Sequence, residues 1–506
     1  MRARFWRASL LALGAACSLQ APAQAIEQVV VELPLLQNTL TLNLRELSTP
    51  EALINGNSDL AELDRATDGA LGRKLLKLFN HPVPLSLRQM TDASVGSPLL
   101  EQVLLLLSSF GSVEGQSLDL SGETLKAALD RATAASPTGD PTLLQLMQAI
   151  PGKRVRLNLS QAQLVLSRML RQRRQADRLM AATPAAAAAV LPADGPVQVR
   201  AAQLPVSHRP EPLDLVLIQP QGAANGHLVL ISHGLWDTPR NFEGWGRVLA
   251  AQGYTVVLPR HPGSDQRQQH EVLSGQAPPP TASELGLRAL DLRAISDAVA
   301  GGKLPGLSGV SAAQVVVIGH SWGATTALQL AGVKPQDGSL RTRCDNVDDP
   351  DRNPSWALQC SWIQGVDQAA IGDSRVIAVA AVSPPVSLLF PRGAGNAMSA
   401  RILLVSGTHD WVVPPDPEAL APFAHSASLG NQLLLVKGGD HFNLRPGQAP
   451  HGGVLAPVLL EWTSRAFQAG VAARPAQGAS PLLPAGPWGS SEKPMADVSA
   501  QAKTGF

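Results

Sequence analysis

Gly319-His320-Ser321-Trp322-Gly323 is the stretch whose surroundings decide the fold. Before it runs Ala313-Gln314-Val315-Val316-Val317-Ile318, a short apolar and β-branched run of the kind that forms a buried strand. After it runs Ala324-Thr325-Thr326-Ala327-Leu328-Gln329-Leu330-Ala331, which reads as a helix. A strand, a sharp turn between glycines and a helix form an elbow that lifts a serine hydroxyl clear of a sheet. The glycines suit a bend too tight for a nearby Cβ, and the first helical N–H groups point where Ser321 would attack.

Working outward, the chain alternates strand and helix patterns on both sides of the elbow. Strands are predicted at 197–204, 213–219, 227–232, 254–258, 375–382, 401–406 and 432–436, and helices at 242–252, 284–300 and 453–469. This alternation predicts an α/β fold with a mostly parallel, eight-stranded sheet and helices on both faces, spanning 197–470. Residues 266–280 are polar and Pro-rich and read as loop. An insertion at 334–373 carries Cys344, Cys360, Trp356 and Trp362.

At 506 residues the chain exceeds what one core organises, so a second unit is expected. Residues 26–183 read as a smaller, mainly helical α+β region. Strand patterns fall at 28–33, 39–44 and 154–159, and helical spacing at 69–79, 97–110, 121–135, 141–150 and 160–180. Arg171, Arg173, Arg174 and Arg178 on the last helix are either a solvated face or a contact for anionic lipid headgroups. The alanine- and proline-rich residues 184–196 read as a linker, and the Pro-, Gly- and Ser-rich residues 471–506 as a disordered tail.

Lys and Arg number 41 against 40 Asp and Glu, which gives no electrostatic footprint for nucleic acid. Residues 1–25 have the layout of a signal peptide: Arg2, Arg4 and Arg7, an apolar run, then Ala23-Gln24-Ala25. Export to the periplasm or beyond is expected, with the mature chain starting at Ile26. Lipid attachment at Cys17 is the weaker alternative, because Gly14 stands where an apolar residue is wanted. Cys344 and Cys360 then remain, and an even pair in an exported chain reads as a disulfide. No metal site or cofactor is expected.

A serine hydroxyl needs a base, usually His, and the His needs a carboxylate to hold its tautomer. In such a sheet the acid and base follow the serine, in that order, on loops after strands. Asp410 follows the strand at 401–406 and His441 follows the strand at 432–436, so both fall in order just past a strand end. The rival bases are His409, His425 and His451, and the rival acids Asp367, Asp373 and Asp440. The oxyanion donors are assigned to the backbone N–H groups of Trp322 and Leu235, with Trp236 as the alternative to Leu235. His233 is read as shaping that loop.

Ile231-Ser232-His233-Gly234-Leu235, Gly319-His320-Ser321-Trp322-Gly323, Gly407-Thr408-His409-Asp410-Trp411-Val412 and Gly438-Gly439-Asp440-His441-Phe442 together resemble the α/β-hydrolase superfamily. More narrowly they resemble the plasma-type platelet-activating-factor acetylhydrolase branch and its bacterial dienelactone-hydrolase-like relatives. Pro259-Arg260-His261-Pro262-Gly263-Ser264 fits that branch. The region from Ile26 to about Met180 is similar to the uncharacterised N-terminal domain of cyanobacterial members. The resemblance implies a secreted serine esterase acting on small-molecule acyl esters, with short acyl groups on a phospholipid-like substrate. Two departures matter. Animal members place the acid after the strand that follows the elbow helix, where this chain has Val382-Ser383-Pro384-Pro385 and no carboxylate. Dienelactone hydrolases use a Cys nucleophile where this chain has Ser321. Cutin- and polyester-type esterases also place the acid one strand later, and a binding protein on an inactive hydrolase scaffold is the reading from another class.

Overall fold

The computed structural model describes residues 25–33, 38–114, 120–183, 195–336, 338, 340–390, 398–423, 429–447, 449, 451–484, 488–490 and 492–504. The signal-peptide expectation (all but Ala25), most of the linker and the rival base His425 lie outside the described residues.

Among the described residues, four strands belong to the first region: β1 (Gln28–Leu33), β2 (Asn38–Asn43), β3 (Gly111–Val113) and β4 (Arg154–Asn158). They form one sheet in the order β2-β1-β4-β3, with only β1 and β4 parallel. Strand β3 has three residues, too few for a period-2 signal, and the sequence reading passes over it. The same reading misses the helices Pro50–Ile54, Asp59–Ala66 and Leu85–Ser94. Two small cores hold this region, one around Ile26, Leu44, Leu47 and Leu60, the other around Val83, Ala128 and Leu129.

The second sheet is larger than the eight strands expected. Its strands are β5 (Val197–Leu204), β6 (Leu213–Pro220), β7 (His227–Ser232), β8 (Thr255–Pro259), β9 (Ser311–His320), β10 (Val376–Val382), β11 (Arg401–Gly407), β12 (Gln432–Val436), β13 (Trp488–Gly489) and β14 (Pro494–Asp497). The order is β13-β14-β12-β11-β10-β9-β7-β8-β6-β5. The six strands from β8 to β12 across the middle are parallel, and antiparallel strands close both edges. The expected eight are all present, and the extra pair comes from the residues read as disordered tail. That reading rested on Gly, Pro and Ser content, but Met495 and Ala496 are buried and β14 pairs with the edge of β12.

Central strands are buried on both faces, which is why β10 and β11 read as continuous apolar runs. Alternate residues feed two cores. Val315 and Val317 face the helices Glu284–Ala300 and Trp322–Leu330, while Val316 and Ile318 face Glu243–Ala251 and Ala456–Ala469. Within the stretch expected to be loop, residues Gln266–Leu273 are a helix, capped by Asp265, whose side chain accepts from the Gln268 N–H. The insertion holds helices Leu340–Asp345 and Ser355–Ser361 and the Cys344–Cys360 disulfide, Cα to Cα 5.7 Å.

The first region docks on these additions. Helix Pro98–Ser108 packs on Ser355–Ser361, and Leu85–Ser94 packs on Gln266–Leu273. The long helix Leu159–Ala181 buries Ala176 and Met180 in the core of the large sheet and reaches the insertion through Arg168 and Gln161.

Candidate functional site

The elbow is strained where the sequence places it. Ser321 sits at φ 54°, in a region L residues rarely occupy. A Cβ on Gly319 would lie 2.1 Å from the Gly323 carbonyl, and one on Gly323 would lie 2.0 Å from the Ser232 carbonyl. Only glycine fits at either position, so the bend and the close packing of the helix start on β7 are one constraint.

The loops after β11 and β12 bring Asp410 and His441 to that bend. His441 Nε2 lies 3.0 Å from Ser321 Oγ, and His441 Nδ1 lies 3.0 Å from Asp410 Oδ2. A carboxylate only accepts, so Nδ1 carries the proton and Nε2 is free to accept from the Ser321 hydroxyl. Asp410 is held by its other oxygen, which accepts from the N–H groups of Val412 and Val413. All three residues are nearly buried, which strengthens the hydrogen bonds.

Two of the rival acids are engaged elsewhere. Asp440 accepts from the N–H groups of Phe442 and Asn443 and so shapes the turn that carries His441. Asp373 is bound to Arg375, and Asp367 is exposed. The His409 N–H bonds the Gly439 carbonyl, tying the loop of Asp410 to the loop of His441. One residue that sequence reasoning passed over is His320, whose Nε2 lies 2.9 Å from the His441 carbonyl. Burial holds its pKa well below the usual histidine range, with the nearby His441 adding to that. A neutral His320 therefore donates to the backbone of His441 and fixes its loop. No spacing in the sequence marks that role.

The loop from which an oxyanion donor is expected follows β7. The Trp236 N–H donates to the Ser264 carbonyl at 2.7 Å, which removes it as a donor to substrate. Among the described residues no acceptor takes the Leu235 or Trp322 N–H, so neither is engaged within the protein. Trp236 is itself at φ 54°, and its indole donates to Gln268 on the helix read as loop. His233 Nδ1 donates to the Gly234 carbonyl, and its Nε2 accepts from the His261 N–H. Burial drives its pKa well below the usual range, so it shapes the loop as a neutral ring.

Exposed apolar side chains stand next to Asp410 and His441. Trp411 and Phe442 are 51% and 53% exposed, and Phe442 meets the His441 ring edge-on. A cavity of about 270 Å³ lies between the acid loop (Thr408, His409, Asp410, Trp411) and Leu166, Met169 and Leu170 of helix Leu159–Ala181. Among the described residues no group of three His, Cys, Asp or Glu side chains could hold a metal ion, and no helix is long and apolar enough to cross a membrane.

Comparison with curated proteins returns no match. Against models of protein families one segment matches, and it holds Leu235, Ser321 and Trp322 while Asp410 and His441 lie beyond it. Residues 227–338, from β7 through the elbow helix, match the family described as alpha/beta hydrolase fold.

Proposed function

We propose that this chain is a serine carboxylic-ester hydrolase that works through an acyl-enzyme formed on Ser321. The observation that carries this is the unbroken hydrogen-bonded chain from Ser321 through His441 to Asp410, beside two backbone N–H groups without acceptors. The Ser321 hydroxyl gives its proton to His441 Nε2 as Oγ bonds the ester carbonyl carbon. The resulting oxyanion accepts from the Leu235 and Trp322 N–H groups. Collapse breaks the bond to the alcohol, which leaves with the proton from His441. Water then repeats the sequence and releases the acid.

The substrate class we favour is a short-acyl or oxidised phospholipid-like ester, as in the platelet-activating-factor acetylhydrolase branch, hydrolysed after export from the cytoplasm. Exposed Trp411 and Phe442 next to Asp410 and His441 suit a lipid-derived substrate. Arg171, Arg174 and Arg178 line a cavity of about 770 Å³ on helix Leu159–Ala181, which suits peripheral contact with anionic headgroups. A cutinase- or polyester-type carboxylesterase is the second reading, favoured by the acid standing on the loop after β11. A non-catalytic binding protein is disfavoured by the intact Ser321, His441 and Asp410 set.

Hydrolysis of p-nitrophenyl acetate and butyrate, with and without a serine-directed phosphonate, tests the esterase assignment. Phosphonate-sensitive turnover is expected, and its absence in folded protein would contradict it. A side-by-side assay on short-acyl phospholipid and on polyester film separates the two substrate classes.

A further inference from the structure

We propose that Arg288 is the positioning residue of the oxyanion hole, gripping the backbone of one donor loop while lying against the indole of the residue that carries the other donor. This rests on the serine-hydrolase reading and adds a residue to its machinery.

Arg288 is completely buried on helix Glu284–Ala300. One of its terminal nitrogens donates to the His233 carbonyl, and its Cζ stands 4.7 Å from the centre of the Trp322 ring. The same guanidinium reaches Ser264 Oγ at 3.4 Å and Ser232 Oγ at 3.5 Å. It therefore touches the end of β7, the loop behind it and the first residue of the elbow helix. Ser264 also offers the carbonyl that takes the Trp236 N–H. Both ends of the segment carrying Leu235 are thus tied through residues that Arg288 contacts.

A buried guanidinium normally finds a carboxylate, because desolvating an unpaired charge is costly. Glu284 and Asp291 each stand about one turn from Arg288, on either side of it along the same helix face, yet neither bonds it. Both are taken by Arg209, which donates to Asp291 at 2.8 and 2.9 Å and to Glu284 at 2.7 and 2.9 Å. Arg288 is left to bond neutral oxygens, with its Nε unpartnered among the described residues. Burial lowers its pKa to about 9, which still leaves it a cation at neutral pH. The two carboxylates balance the two guanidiniums, and the directed hydrogen bonds of Arg288 are spent on the donor loop.

The surrounding groups fit a clamp. Ser232 Oγ lies 2.9 Å from His261 Nε2, and His261 Nδ1 lies 2.8 Å from Asp291. This repeats the order of Ser321, His441 and Asp410, but Ser232, His261 and Asp291 are fully enclosed and no substrate reaches them. The relay instead fixes the strand end whose carbonyls abut Gly323. Because that glycine follows Trp322, a shift of the donor loop would move its N–H relative to the one on the helix.

The test uses the full chain with Arg288→Met and Arg288→Lys, with folding checked by circular dichroism. kcat and KM are measured for p-nitrophenyl acetate, together with the rate of Ser321 labelling by a fluorophosphonate. Losing one oxyanion donor costs about 100-fold or more in kcat, so Arg288→Met should lose on that order while KM stays within about threefold. Arg288→Lys keeps the charge but loses the fork and should lose about tenfold in kcat, with labelling slowed in parallel. If Arg288→Met does not fold, Arg288→Lys decides alone. A folded variant with wild-type kcat, or a loss confined to KM, overturns the clamp while leaving the hydrolase intact. A wild-type protein that is neither labelled at Ser321 nor active contradicts the hydrolase assignment and the clamp together.

Discussion

Asp410 holds His441 with one oxygen and is itself held by two backbone N–H groups through the other. Asp410→Asn should therefore keep its place but favour the wrong imidazole tautomer. A loss of up to about 10⁴-fold in kcat is expected, against less than about tenfold for Asp373→Asn and Asp367→Asn. A mild Asp410→Asn beside a damaging Asp373→Asn would move the acid into the insertion. Its place after β11 was legible from the sequence because a loop just past a parallel strand is where such a sheet presents side chains. The choice between Leu235 and Trp236 was not legible, since it turns on a hydrogen bond to Ser264, a residue remote in sequence. His320 and Arg288 were hidden for a similar reason: their partners lie on other elements.

At the scale of elements, the core strands announced themselves. Runs such as those of β10 and β11 leave little alternative to a buried parallel strand. Edges and caps did not. The tail strands β13 and β14 are short and Gly- or Pro-bearing, and their order comes from pairing with β12. Helix Gln266–Leu273 is polar, with Gln268 and Val272 its buried residues, and it packs on helix Leu85–Ser94 while Gln268 accepts from the Trp236 indole. The insertion is tied by the Cys344–Cys360 disulfide, which closes a short loop. Replacing both cysteines by serine should lower the free energy of unfolding by roughly 2–4 kcal/mol, read from denaturant melts. An unchanged midpoint would show that the loop is held by its buried contacts alone, among them Glu418 with Asn353, Ser355 and Gln359.

Across the whole molecule, several histidines are buried as neutral rings. Burial lowers His261 to about 4, with Arg288 adding to that, and burial holds His233 and His320 well below the usual range. Unfolding lets each bind a proton near its ordinary value of about 6.5, so the unfolded chain binds more protons below that pH. Stability should be full above about 6.5 and fall as the pH drops toward 4, with a slope of more than one proton. A thermal midpoint that stays flat from pH 7 to 5 would contradict this. The first region also belongs to the fold as a whole, because Ala176 and Met180 sit in the core of the large sheet. Its helical pattern was legible, but its docking was not, because the surfaces that meet are read one helix at a time.

The measurement that bears most directly on the central claim is Ser321→Ala. Purified wild-type and variant proteins, matched by circular dichroism, are assayed on p-nitrophenyl acetate and butyrate, and the wild type is digested after fluorophosphonate treatment to locate the adduct by mass spectrometry. We expect the adduct on Ser321 and a loss of several orders of magnitude in turnover in the variant. Near-normal hydrolysis by a well-folded Ser321→Ala protein, or an adduct on another serine, would contradict it.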